Sequence, residues 1–219
     1  MCCAWLRSLV VALSAAAPVA AGTLQGKLTV VEKDGKPARD ADDAVVWVEG
    51  PKIRMRPTGS TVTMKSKSFL PRVTVVSVGG KVEFPNQDSI FHNVFSVSGE
   101  NRFDLELYKK PKSAFKVFEH PGVVRIYCNI HPQMSGFVIV RDNPYWARVG
   151  ADGSFLIPDV LAGTWVVKGW HERSGESAQR VQVPETGAVS VALTLDASKF
   201  KRAPHKNKFG KDYAVGEKY

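Results

Sequence analysis

The string Tyr127-Cys128-Asn129-Ile130-His131-Pro132-Gln133-Met134 sets a thiol, an imidazole and a thioether at three-residue intervals. A second imidazole, His92, lies well upstream in Asn86-Gln87-Asp88-Ser89-Ile90-Phe91-His92-Asn93-Val94. Thiolate is a soft donor and imidazole binds a range of transition metals, so these residue types together point to a metal site. Taken singly, each has a plainer reading: His92 as a turn or surface histidine, Met134 as core filling, Cys128 as a buried and inert thiol. The company Cys128 keeps argues against the last. No Ser/His/Asp arrangement, paired-carboxylate motif or phosphate loop stands out, so the chain reads as a non-enzyme without catalytic residues.

The other two cysteines, Cys2 and Cys3, precede an almost wholly apolar run from Leu9 to Val19. Arg7 lies before that run and the small residues Val19-Ala20-Ala21 close it, so residues 1–21 read as a cleaved export signal. That places the mature protein in the periplasm or outside the cell. The run is short for a bilayer span, and no stable membrane anchor is expected. With the signal removed, Cys128 is the sole cysteine and has no disulfide partner within its chain. A lone thiol in an oxidising compartment needs some other reason to be there.

The elements that must position these side chains read as strands. Leu28-Thr29-Val30-Val31, Ala44-Val45-Val46-Trp47-Val48 and Thr74-Val75-Val76-Ser77-Val78 are rich in β-branched residues, with turn signals at Asp34-Gly35, Gly79-Gly80, Pro121-Gly122 and Asp152-Gly153. No long segment has a helical apolar period. An all-β chain of sandwiches or open barrels follows. In the middle of the chain, Val82 and Phe84 alternate with Lys81 and Glu83, and Phe115 and Val117 flank Lys116. Val124, Ile126 and Cys128 share one face, opposite Arg125 and Tyr127. Cys128 thus points the way the core points, at a strand end, and the His131–Met134 turn leads into Phe137-Val138-Ile139-Val140.

Both ligand-type segments resemble those of the cupredoxins, the plastocyanin-like blue copper proteins, and the short Cys-x2-His-x2-Met loop looks most like that of amicyanin. The whole chain resembles the secreted cupredoxin-like proteins of methylamine-utilisation type. The resemblance implies a Greek-key β-sandwich over residues 58–142 holding one mononuclear type 1 copper. Its ligands would be His92, Cys128, His131 and Met134, with Met134 the weak axial donor and Gln133 left to the loop. A trigonal Cys-His-His set with a long axial Met suits both oxidation states of copper. The implied function is one-electron transfer, copper cycling between Cu(I) and Cu(II). Asn93 is implied as an outer residue tying the His92 segment to the Cys128 loop, and such contacts orient ligands. Phe84, Phe91, Phe95 and Phe137 would help to keep the site dry.

Residues 22–57 and 143–197 resemble two halves of one carboxypeptidase regulatory-like (transthyretin-like) sandwich. The resemblance rests on the Asp34-Gly35-Lys36-Pro37 turn, on Ala151-Asp152-Gly153-Ser154-Phe155 and on Leu161-Ala162-Gly163-Thr164-Trp165. Each half alone is too small for a stable core, so the copper domain would be an insertion between them. His120, His171 and His205 read as structural, and Trp146, Trp165 and Trp170 as packing.

The formal charge is +9, concentrated in a basic tail over 198–219 that reads as a solvated, mobile segment. The charge is not interleaved with aromatic stacking residues, so no nucleic acid is expected. Lys109, Lys110, Lys112 and Lys116 offer a face that could steer an acidic redox partner, such as a periplasmic cytochrome or a copper or quinoprotein enzyme. The alternatives are copper storage or delivery, and a scaffold role dominated by the flanking sandwich.

Overall fold

A computed structural model describes residues 20–201 and 205–213. The expected export signal therefore lies almost wholly outside the described residues. Within them the chain is all-β, as its alternating and β-branched segments require. No described helix is long and apolar enough to cross a membrane.

The strands are β1 (Ala21–Val31), β2 (Val45–Glu49), β3 (Ser60–Thr61), β4 (Thr63–Lys65), β5 (Ser68–Leu70) and β6 (Val73–Ser77). There follow β7 (Gly80–Pro85), β8 (His92–Ser96), β9 (Phe103–Tyr108), β10 (Ser113–Phe118), β11 (Gly122–Tyr127) and β12 (Ser135–Arg141). The last five are β13 (Trp146–Arg148), β14 (Ser154–Leu161), β15 (Gly163–His171), β16 (Gly175–Val183) and β17 (Ala188–Asp196).

Fifteen of these strands stack in four layers, and β4 and β5 form a separate antiparallel hairpin. The outermost is β14-β1-β17, in which β1 runs antiparallel to β14 and parallel to β17. Next comes β13-β2-β15-β16. Leu24, Leu28, Val46, Val48, Ile157, Val167 and Leu193 fill the space between these two sheets. The third layer is β6-β12-β11-β8-β9, and the fourth is β10-β7-β3. Val82, Phe84, Phe118, Val124, Ile126, Val138 and Val140 pack between them.

Two uninterrupted apolar runs hold the second layer to the third. In β12, Val138 and Val140 face the fourth layer while Phe137 and Ile139 face the second; in β2, Val46 and Val48 face the outer sheet while Val45 and Trp47 face β12. Trp170 of β15 completes this middle core, its ring edge-on to Phe137 with centroids 4.9 Å apart. A strand covered on both faces cannot alternate with polar residues, and this is why both runs are continuous. Each such side chain stabilises the fold by about 1.5–3 kcal/mol on burial.

The chain leaves the first two layers and returns to them at neighbouring points. Asn143 Nδ2 donates to Val48 O (3.0 Å), and Ile53 N–H donates to Asp142 O (3.2 Å).

Two details depart from the sequence reading. Ala114, Lys116 and Phe118 of β10 pair with Phe84, Val82 and Gly80, so it is this set that faces the core side. Phe115 points outward and is 59 % exposed, with Lys81 Nζ 5.4 Å above its ring. The C-terminal stretch also differs: residues 205–213 lie against the third layer, where Lys208 Nζ meets Asp104 (2.6 Å) and Glu106 (3.0 Å) of β9. Lys208 finds an acidic strand, while Lys201, Lys206 and Lys211 stay exposed.

Ile139→Ala should lower unfolding stability by about 2–5 kcal/mol, because it leaves a cavity between the second and third layers. Phe115→Ser should change it by no more than about 0.5 kcal/mol. Chemical denaturation of both variants checks the assignment of faces.

Candidate metal centre

His92 opens β8, and Cys128 follows the last residue of β11. The two strands are antiparallel neighbours, with Tyr127 opposite Phe95, so residues far apart in sequence arrive side by side. Alternation along β11 turns Tyr127 outward, its ring against Phe95 at 5.6 Å. The same alternation turns Cys128 into the core with Val124 and Ile126. Beyond Cys128 the chain closes on itself: Met134 N–H donates to His131 O (2.9 Å) and Cys128 N–H donates to Met134 O (3.2 Å). This loop carries His131 back over the sulfur.

Cys128 Sγ lies 3.9 Å from His92 Nδ1 and 3.6 Å from His131 Nδ1, and the two Nδ1 atoms are 3.1 Å apart. These are the only three His, Cys, Asp or Glu side chains among the described residues whose ligand atoms gather in this way. Met134 belongs to the same buried cluster as Cys128, while Gln133 on the loop is exposed. His92 and Cys128 are fully buried, Met134 is 1 % and His131 7 % exposed. Four polarisable donors are thus held away from water.

The far side of His92 fixes its chemistry. Its Nε2 lies 2.8 Å from Asp88 Oδ2; a carboxylate there only accepts, so Nε2 carries the proton and donates, and Nδ1 is the atom turned to the cluster. Asp88 also accepts the amides of Ser66 and Lys67 (2.8 and 3.0 Å), so the β4–β5 turn and the His92 ring share one anchor. Burial alone would raise the Asp88 carboxyl, but the Lys67 amide, the His92 ring and the Ser66 amide outweigh it and hold it below the usual carboxylate range. Burial and the neighbouring His92 ring push His131 down to about 4, so its imidazole is neutral at physiological pH. Burial pushes the Cys128 thiol up, against the backbone amides of Asn93, Ile130 and His131 that point at its sulfur.

This environment fits a soft transition metal. The two Nδ1 atoms, 3.1 Å apart, share at most one proton between them, and the buried sulfur has only these rings beside it. A cation among them replaces the thiol proton and satisfies all three.

Asn93 Oδ1 accepts from Asn129 N–H (3.3 Å), joining the residue after His92 to the residue after Cys128. Its Nδ2 donates to Asp104 Oδ1 (2.6 Å) and Glu106 O (3.0 Å). Of the four phenylalanines expected around the site, Phe84 is buried in the same cluster as Cys128; Phe95 is buried beside the outward-turned Tyr127, and Phe91 is 48 % exposed because it lies in the loop before β8. Phe137 is buried but faces the second layer, since its neighbour Val138 takes the core side of β12. The sequence reading passed over Asp88, whose only signal is a carboxylate four residues before His92. It also passed over the contacts of His205, Lys208 and Tyr213, which have no local signature.

No family model matches the chain, and no curated protein matches it. Solved structures do. A purple cupredoxin from Nitrosopumilus maritimus is 24 % identical over 37 % of this chain and 99 % of its own, with a TM-score of 0.34. Amicyanin from Paracoccus versutus is 26 % identical over 39 % of this chain and 92 % of its own, with a TM-score of 0.35. A copper-containing nitrite reductase from Thermus scotoductus is 24 % identical over 53 % of this chain and 28 % of its own, with a TM-score of 0.38.

Asp88→Ala removes the partner of His92 Nε2 and two turn hydrogen bonds together. Copper affinity should fall about 10- to 100-fold, as read by competition titration with a chelator.

Proposed function

We propose that the chain is a one-electron carrier built on a single type 1 copper site, with His92, Cys128, His131 and Met134 as ligands. The observation that carries this reading is the convergence of one buried sulfur and two imidazole Nδ1 atoms, none more than 3.9 Å from the sulfur or from each other. A bound copper ion would supply a couple between its cuprous and cupric states.

The protein's part is to hold the donors in a geometry that serves both states. Asp88 fixes the His92 ring, the hydrogen bonds between Cys128, His131 and Met134 fix the loop, and β11 pairs along its length with β12, which is covered on both faces. Rigid donors change position little when charge changes, which keeps the reorganisation barrier low. Their burial also excludes water from the sulfur. Met134, in the same buried cluster as Cys128, would be the fourth ligand and would leave no open position for a substrate, which supports a carrier over an enzyme. The closed loop likewise favours electron exchange over storage or delivery of the ion, for which a donor set must open. An exported, periplasmic protein that meets an acidic redox partner through the lysines around Lys109 and Lys112 is the setting this reading implies. The first two layers are proposed to form the discontinuous, carboxypeptidase regulatory-like sandwich, with residues 58–142 inserted into it.

Purified protein titrated with Cu(II) should show an intense thiolate-to-copper charge-transfer band that bleaches reversibly with reductant. Cys128→Ser should abolish the band, and a wild-type protein without it refutes the assignment. Met134→Gln should keep the colour and lower the reduction potential, since an oxygen donor favours the cupric state; an unchanged potential in voltammetry removes Met134 from the axial position.

A further inference from the structure

We infer that the C-terminal segment His205–Tyr213 is a clasp that positions the metal-ligand loop, with Lys208 and Tyr213 as its positioning residues. The inference rests on the copper reading for its consequence, though not for its geometry.

The clasp reaches the loop at two consecutive residues. The Tyr213 hydroxyl donates to the Cys128 carbonyl (2.9 Å), and Lys208 N–H donates to the side-chain oxygen of Asn129 (2.8 Å). Both contacts span a large stretch of sequence and fall on the chain just where it leaves β11 to become the ligand loop. A hydroxyl has one proton, and a carbonyl only accepts. His205 Nδ1, 3.2 Å from the Tyr213 oxygen and 3.1 Å from Lys206 O, must therefore carry a proton and donate. The His205 ring lies on the outward face of Tyr127, with centroids 4.1 Å apart. Three consecutive residues, Tyr127 to Asn129, are thus held from outside the sheet.

Lys208 does more than touch the loop. Its ammonium binds Asp104 Oδ2 (2.6 Å) and Glu106 (3.0 Å). Asp104 Oδ1 accepts from Asn93, Asn93 accepts from Asn129 N–H, and Asn129 accepts from Lys208 N–H. The hydrogen bonds close into a ring through the residues that directly follow His92 and Cys128. A displacement at Lys208 is therefore felt on both ligand-bearing segments at once. The segment is also shaped for this role: Asn207 Oδ1 accepts from Phe209 N–H and Lys211 N–H (both 3.0 Å), and Gly210 N–H donates to Asn207 O (2.9 Å), a turn that presents Lys208 to its partners. Gly210 takes a φ of +75° in that turn, which suits glycine.

The test uses the full-length chain carrying Tyr213→Phe or Lys208→Glu. The first deletes one hydroxyl; the second sets a carboxylate against Asp104 and Glu106. In the metal-free protein, amide hydrogen exchange at Cys128, Asn129 and Met134 should rise about 2- to 10-fold in each variant, the effect of roughly one hydrogen bond. The amides of Val124 and Val138, inside β11 and β12, should keep their protection. Lys208→Arg, which keeps the charge, should stay near wild type. In the copper-loaded protein, transfer of Cu(I) to a chelator should accelerate by a similar factor. Unchanged exchange at those three amides in both variants overturns the clasp, as does an increase spread evenly over β11 and β12. A wild-type protein without a charge-transfer band sinks the copper reading instead, and the exchange measurement still decides the clasp.

Discussion

Two imidazole nitrogens and a sulfur meet in the interior at distances suited to sharing a cation and to little else. Burial opposes charge on two of them, holding His131 neutral and the Cys128 thiol protonated. The cluster is therefore a place where the folded chain gathers buried polar groups whose ligand atoms face chiefly one another. Such an arrangement is costly unless a bound ion satisfies it. The rest of the structure can be understood as what keeps those three atoms from relaxing away: a carboxylate behind one ring, a closed loop behind the other, and a sheet with both faces covered behind the sulfur.

The flanking sheets belong to that account. A two-layer sandwich would leave Phe137 and Ile139 of β12 facing water, and β12 pairs along its length with β11, whose last residue, Tyr127, directly precedes Cys128. The second layer covers those side chains with Val45, Trp47 and Trp170. Packed interiors resist small displacements, so the covering layer stiffens the strand pair on which the ligand loop is mounted. The arrangement gives the strands of the first two layers a mechanical bearing on the site through β12.

Around the donors sits a second tier of groups that never touch the sulfur. Asp88 links the His92 ring to the β4–β5 turn, and Asn93 links the segment after His92 to the segment after Cys128. Lys208 and Tyr213 arrive from the far end of the chain to grip the same two segments. Each acts by fixing the direction of something else, and their common property is that they join pieces distant in sequence.

The sequence by itself determined the donor types and their spacing, the all-β class and the face on which Cys128 lies. Period-two alternation in β7 and β11 and a three-residue ligand spacing are local properties, and local sterics are enough to express them. The continuous apolar runs of β2 and β12 even recorded that those strands are buried on both sides. Only the tertiary structure decided which face of β10 turns inward, because that depends on its register with β7. Only the fold, too, could expose Phe91, aim Phe137 at Trp170 and set Asp88 behind His92. The largest difference is the C-terminal segment, whose Lys208 reads as solvated until Asp104 and Glu106 stand beside it. An ion pair between residues a hundred positions apart leaves no trace in either neighbourhood; it exists only once the sheets have brought the two together.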